Sequence, residues 1–304
     1  MKLKTRKKSK LKSKQASKQN KLEKQNSNSY LIYLILIFLV VQIIGLVVAS
    51  YYSKTDSIKG VLTDNPNDII NALFIIGEIL VFTGIVLLLK RFFKSGNYLY
   101  VFEFIALFVG IVVVLDVFMS YLLAVIISFA LLVIKRYLKD KTKFKKLLMW
   151  YNNLLLGLAI AGAGAIIGLS LGLIPIIVFL VLLSIYDIIA VFYTKHMVVL
   201  AKLFIKKKIA LTFSIPSKER IFQLGGGDIV IPLTLSASYF FILIKSFSFW
   251  ISIVPIILIW ISSLIGLIWT FWILRTGKVK VMPALPAQTL LMLVVVIVSY
   301  IVLF

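Results

Sequence analysis

The sequence predicts an all-α polytopic membrane protein with nine transmembrane helices, and three observations support that reading. Apolar residues make up 61% of the 304 positions and the mean hydropathy is +1.06, which is more apolar surface than one soluble core could bury. That surface is gathered into runs close to the ~20 residues needed to cross the ~30 Å hydrocarbon layer of a bilayer. The Lys and Arg residues, finally, lie between those runs: 31 of the 34 fall in alternate connections, on what would be one side of a membrane.

Residues 1–29 hold eleven Lys/Arg and a single acid, Glu23, among Ser, Gln and Asn. Such a segment is too polar to pack and reads as a disordered cytoplasmic tail beside anionic headgroups. Residues 30–304 form the membrane domain. Its first apolar run, 30–48, is long enough to span and is followed by no small-residue cleavage site, so it is read as a helix and not as a signal peptide. Further spans are expected at 68–89, 98–115, 117–134, 148–169, 173–194, 225–244, 250–274 and 284–304. Only a short turn at Asp116 parts the third from the fourth. Gly157, Ala161, Gly164, Ala165, Gly168 and Gly172 put small residues along the fifth span, where another helix can approach closely. The 195–224 connection opens with lysines and continues with the apolar, partly β-branched segment 209–216, a short strand or an interfacial segment that ends at Pro216.

Only Lys54, Lys59 and Lys245 fall on the other side of this division. The asymmetry places the N-terminus in the cytoplasm and the C-terminus outside. It also accounts for the formal charge of +23 through lipid headgroups and orientation, so nucleic acid is not the partner expected. With no cysteine, there is neither a disulfide nor a thiolate site. Abundant Lys, Ile and Asn without a targeting signal suit a prokaryotic plasma membrane.

Two acids stand in spans where a carboxylate costs several kcal/mol unless it meets a polar partner or water. Asp187 lies eight residues before Lys195, at the inner end of the sixth span. Asp228 lies eight residues after Arg220, on the inner approach to the seventh. At 1.5 Å per residue both would sit about 12 Å from the same face if that approach is helical. Two carboxyls at one depth on consecutive spans cannot both ionise in a weakly polar site. One then serves as a base toward water and the other as an acid toward a carbonyl, the chemistry of aspartic proteases. The alternative is a hydrogen-bonded acid pair at a helix crossing, or an ion site. Gly225, Gly226 and Gly227, just before Asp228, lack Cβ atoms and would allow positive φ or close approach of another backbone.

A third stretch, Val281-Met282-Pro283-Ala284-Leu285-Pro286-Ala287, opens the ninth span at the same face. Its prolines remove amide donors and leave backbone free for other partners. Tyr186-Asp187, Gly225-Gly226-Gly227-Asp228 and Pro283-Ala284-Leu285-Pro286, in that order, resemble the presenilin and signal-peptide-peptidase family of intramembrane aspartyl proteases. The run from Tyr186 to Thr194-Lys195-His196-Met197 is especially similar to archaeal presenilin homologues. The resemblance implies a presenilin-like bundle, hydrolysis of peptide bonds within transmembrane helices of other membrane proteins, and no cofactor or metal. It implies Asp187 and Asp228 as catalytic acids. It further implies Tyr186 and the glycines at 225, 226 and 227 as supporting residues, and Pro283, Ala284 and Leu285 as the border of the cleft that receives substrate. Segment 209–216 would pair with an unwound substrate as an added strand. An N-terminus inside matches the presenilin branch.

Rival constellations are weaker. Gly168-Leu169-Ser170-Leu171-Gly172 has a nucleophile-elbow spacing, but Ser170 and the only histidine, His196, fall at opposite ends of their spans, roughly 30 Å apart. One histidine cannot supply the two-histidine zinc motif, and Val230 stands where a dinucleotide fingerprint needs a third glycine. A prepilin-peptidase-like protease would carry a basic residue soon after the acid, where Ile229-Val230-Ile231 stand instead. A proton- or cation-coupled transporter, or an ion channel, could use the same acids as relay groups. Glu78 and Glu103, each within a span, read as hydrogen-bonded structural acids, with a place along a water path as the alternative.

Overall fold

Each apolar run is a helix because backbone polar groups have no water to bond inside a bilayer and must be satisfied within the segment. The computed structural model describes residues 31–54, 59–92, 96–139, 145–207, 209, 211–216, 221–275 and 281–304; the basic segment 1–29 lies outside them. Among the described residues nine helices are long and apolar enough to cross a membrane. They are α1 (Leu31–Tyr52), α2 (Ile69–Phe92), α3 (Tyr98–Asp116), α4 (Tyr121–Lys139), α5 (Lys145–Leu169), α6 (Leu173–Ile188, continued by a π-helical turn, Ile189–Tyr193), α8 (Gly227–Ser246), α9 (Phe249–Arg275) and α10 (Leu285–Leu303). The remaining helix, α7 (His196–Lys207), is too short to span.

Most ends fall within a few residues of the expected ones. The fourth span starts later, at Tyr121 rather than 117, because the amides of Phe118 and Met119 both turn back to the Leu115 carbonyl. Asp116 closes that turn by accepting the Tyr52 hydroxyl at 2.7 Å. The connection after α6 is more ordered than its lysines suggested. The chain reverses at Lys195, whose φ of 56° is rare for a residue with a side chain, and enters α7. There Leu200, Leu203 and Phe204 recur on one face and pack on Val86 of α2 and Leu99 of α3.

A two-stranded antiparallel hairpin follows, β1 (Thr212–Pro216) and β2 (Ile221–Gly225), in the register Thr212↔Gly225 to Pro216↔Ile221. The expected strand is therefore present, but its partner is the segment that leads into Asp228. Asn153 of α5 bonds both backbone groups of Ser214, donating to its carbonyl at 2.8 Å and accepting from its amide at 2.9 Å. A strand residue points both groups to the same side, so Ser214↔Gln223 is a pair without mutual hydrogen bonds. By alternation, the amide and carbonyl of Gln223 face away from β1.

The core is centred on α5, which packs against α3, α8 and β1. Its small residues allow this. A Cβ on Gly110 of α3 would run into the Ala159 backbone, and one on Gly168 of α5 would run into the Thr234 carbonyl of α8. Glu103 forms a buried ion pair with Lys135, the structural use expected of it. Glu78 is exposed on α2.

Gly110→Val should lower stability by about 3 kcal/mol, since backbone cannot yield to the added methyls. Gly77→Val, at a site with open space around the glycine, should leave the thermal unfolding midpoint in detergent close to wild type; equal effects would show that α3 and α5 are not in backbone contact.

Candidate active site

Asp187 is on the last turn of α6 before the π-helical turn, and it is 8% exposed. The widened turn begins two residues later, where the Ile189 amide is shared between the Ile185 and Tyr186 carbonyls. Single π turns of this kind recur at functional sites. Across from it, α10 starts at Leu285 behind the Ala284 cap. The first amides of a helix have no intrahelical acceptor, and the Leu285 amide donates to the Asp187 carboxyl. One turn along, Ser184 donates to Thr289 at 2.8 Å. That bond fixes the register of α6 on α10 so that Asp187 meets Leu285.

Asp228 is the second residue of α8, and its carboxyl accepts the Gly225 amide. The seventh span is thus entered from a strand, not a helix. The common depth argued from helical rise does not hold as stated, because a strand advances about 3.3 Å per residue. The acids meet through the hairpin's geometry instead: the two carboxyls are close enough to interact electrostatically.

Pro232, inside α8, has no amide to offer the Asp228 carbonyl four residues earlier. Gln288 of α10 fills that place, donating to the Asp228 carbonyl at 3.3 Å. Gln42 of α1 donates to the neighbouring Ile229 carbonyl at 2.9 Å. Both glutamines are fully buried, and they tie the first turn of α8 to α1 and α10. Nothing in the spacing of the sequence pointed to them, although a proline four residues after an intramembrane acid signals a carbonyl that needs an outside donor.

A cavity of about 450 Å³ opens beside the pair. Asp187, Tyr186, Gly227, Val230, Thr234 and Leu285 line it, and Ile75, Glu78 and Phe82 of α2 form its far wall. Glu78 thus lines this cavity, whereas Glu103 is paired with Lys135. Pro283 is buried and Ala284 half-buried at the start of α10. The three glycines have distinct reasons. A Cβ on Gly225 would press to 3.3 Å from an Asp228 carboxyl oxygen; one on Gly226 would meet Ile160; Gly227 has open space. None has the positive φ that the sequence suggested, since among the described glycines only Gly96 does.

His196 opens α7, with Nε2 2.9 Å from the Tyr186 hydroxyl and Nδ1 2.5 Å from the Thr194 hydroxyl. Burial lowers its pKa from the ordinary imidazole value. It fixes Tyr186 at the mouth of the cavity and is more engaged than an interfacial side chain. Ser170 bonds back to the Ile166 carbonyl of its own helix at 2.9 Å, far from His196.

Two acids brought together inside a helical membrane bundle are what an aspartic protease working within the bilayer requires. The chain belongs to the signal-peptide-peptidase and presenilin aspartyl protease family, whose model matches residues 34–221; the match includes Asp187 and ends before Asp228. Its fold is similar to two solved structures of a presenilin-family intramembrane aspartate protease. One, in space group C222, has a TM-score of 0.63 and 23% identity over 90% of this chain and 99% of that one. The other, in P2, has a TM-score of 0.59 and 24% identity over 88% and 96%. No curated protein sequence is significantly similar. The protein is therefore an integral multi-pass membrane protein and an intramembrane aspartic endopeptidase.

Gly225→Ala should displace the Asp228 carboxyl by tenths of an ångström and reduce proteolysis about tenfold, whereas Gly227→Ala should stay near wild type. Initial rates on a fluorogenic peptide in detergent measure both, and the reverse order would show that Gly225 does not position Asp228.

Proposed function

We propose that Asp187 and Asp228 are the catalytic pair, and that they cleave a substrate transmembrane segment drawn into the cavity between α2 and α8. The observation that carries this reading is that the two carboxyls, each held by a backbone amide, lie close enough to interact, with Asp187 on the wall of a cavity in the span. The pair shares one proton and titrates as a unit. The ionised partner takes a proton from water as its oxygen attacks the scissile carbonyl carbon, and the protonated partner gives its proton to the carbonyl oxygen. The gem-diol then collapses: one of its hydroxyls returns its proton to the ionised partner as the C=O re-forms, the C–N bond breaks, and the nitrogen leaves with the other partner's proton, so the pair again holds one shared proton for the next cycle.

A helical carbonyl is shielded by its own turn, so the substrate must unwind, and its freed amides need partners in lipid. The segment 209–216 was expected to provide them. Asn153 already occupies the outer edge of β1 at Ser214, so the outward groups of Gln223 on β2 are the better receiving edge, two residues from Gly225 and five from Asp228. An extended segment added there runs directly past the acids. Tyr186, Pro283, Ala284 and Leu285 border it. The distribution of basic residues supports an N-terminus in the cytoplasm and a C-terminus outside a prokaryotic plasma membrane, which puts the pair nearer the inner face.

Asp187→Asn and Asp228→Asn should each abolish cleavage of a labelled transmembrane peptide in reconstituted vesicles, with fragments identified by mass spectrometry; cleavage that survives either change would remove the pair from catalysis. Gln223→Pro takes away one outward donor while sparing the β1 ladder, and should lower kcat/KM about tenfold, the value of one hydrogen bond. Gln223→Ala keeps the amide and should not. Matched losses would mean that the side chain, not the strand edge, is what matters.

A further inference from the structure

A second, basic cavity lies away from the acids, at the end of the bundle where α3 begins and α4 ends. It encloses about 310 Å³, and Asn97, Tyr100, Glu103, Lys135, Arg136 and Lys139 line it. Three cations face one acid. Lys135 is buried against Glu103 at the back, which leaves an ammonium with donors to spare beyond the carboxylate it pairs with. Lys139 is held 3.6 Å above the Tyr100 ring and 3.4 Å from the Lys207 carbonyl. Tyr100 donates to that same carbonyl at 3.1 Å, so the end of α7 forms one rim. The Arg136 side chain is exposed and makes no ion pair among the described residues. Its planar fork suits two oxygens of a phosphate. Leu132 and Phe104 floor the cavity. Phe104 packs edge-on against Phe129 of α4 at 6.1 Å, and the exposed Val101, Ile105, Val133 and Ile134 continue from there into the span.

We propose that this cavity binds the phosphate headgroup of an anionic glycerophospholipid, with Arg136 and Lys139 on the phosphate and the acyl chains along the α3–α4 groove. The position favours a lipid over a free phosphate, because the cations stand at the basic face of the membrane and the floor of the site opens onto an apolar groove. The site is independent of the proteolytic reading.

The test is native mass spectrometry of the full chain in nonionic detergent, titrated with phosphatidylglycerol or phosphatidylcholine. Wild type should retain one phosphatidylglycerol at concentrations where phosphatidylcholine is lost. Arg136→Gln with Lys139→Gln should weaken retention about thirtyfold, the worth of two cations at a membrane surface. Lys90→Gln with Arg91→Gln, on the same face but outside the cavity, should leave it unchanged. Equal losses from both pairs would reduce the binding to diffuse charge and overturn the site. Displacement of the adduct by millimolar inorganic phosphate or glycerol phosphate would make it a free-phosphate site and overturn the lipid assignment. If the double variant unfolds, Arg136→Lys alone decides: it keeps the charge but loses the fork, and retention equal to wild type would refute the proposed contact.

Discussion

A carboxyl group inside a bilayer must take its hydrogen bonds from the protein, and in this fold it takes them from backbone that helices cannot use. Regular helices consume their own amides, so donors become available only where helices start or are interrupted. Asp187 draws on Leu285, the first residue of α10. Asp228 draws on Gly225, at the end of β2 and before α8 begins. Both donors sit at interruptions that would be intolerable facing lipid and survive because they face protein and a cavity. The placement of the acids and the breaks in the helices are one arrangement.

Pro232 extends the same logic. By removing one helical bond it frees the Asp228 carbonyl, and two glutamines from α1 and α10 hold the opened turn. A buried amide that lost its partner would cost about 1–3 kcal/mol, so the first turn of α8 is kept where α1 and α10 put it. The Ser184–Thr289 bond does the same for α6. Each acid is thereby referenced to α10, the helix that opens with Pro283-Ala284-Leu285.

Spans and their order were legible because a bilayer imposes a length and a hydropathy that composition records directly. The acids were legible for the same reason, being ionisable where ionisable groups are costly. The hairpin was only half legible. Thr212 to Pro216 is β-branched and apolar enough to read as a strand, but Ile221 to Gly225 runs into a glycine triplet and an apolar helix, and its pairing depends on Asn153 of α5, 61 residues before Ser214. The helix at His196–Lys207 was masked by its lysines, although the spacing of Leu200, Leu203 and Phe204 was there to find. Glu78 and Glu103 looked alike in sequence. What separates them is a cation on another helix, Lys135, and no local pattern announces that.

Asn153 has an effect beyond catalysis. A two-stranded ribbon ordinarily exposes two flanks, and a molecule with two can be built into an endless stack, each copy adding to the last. Here one flank is stoppered by a side chain that mimics a neighbouring strand. Any further strand has a single berth, so growth ends after one addition, and two copies meeting through their open flanks would close as a pair instead of polymerising.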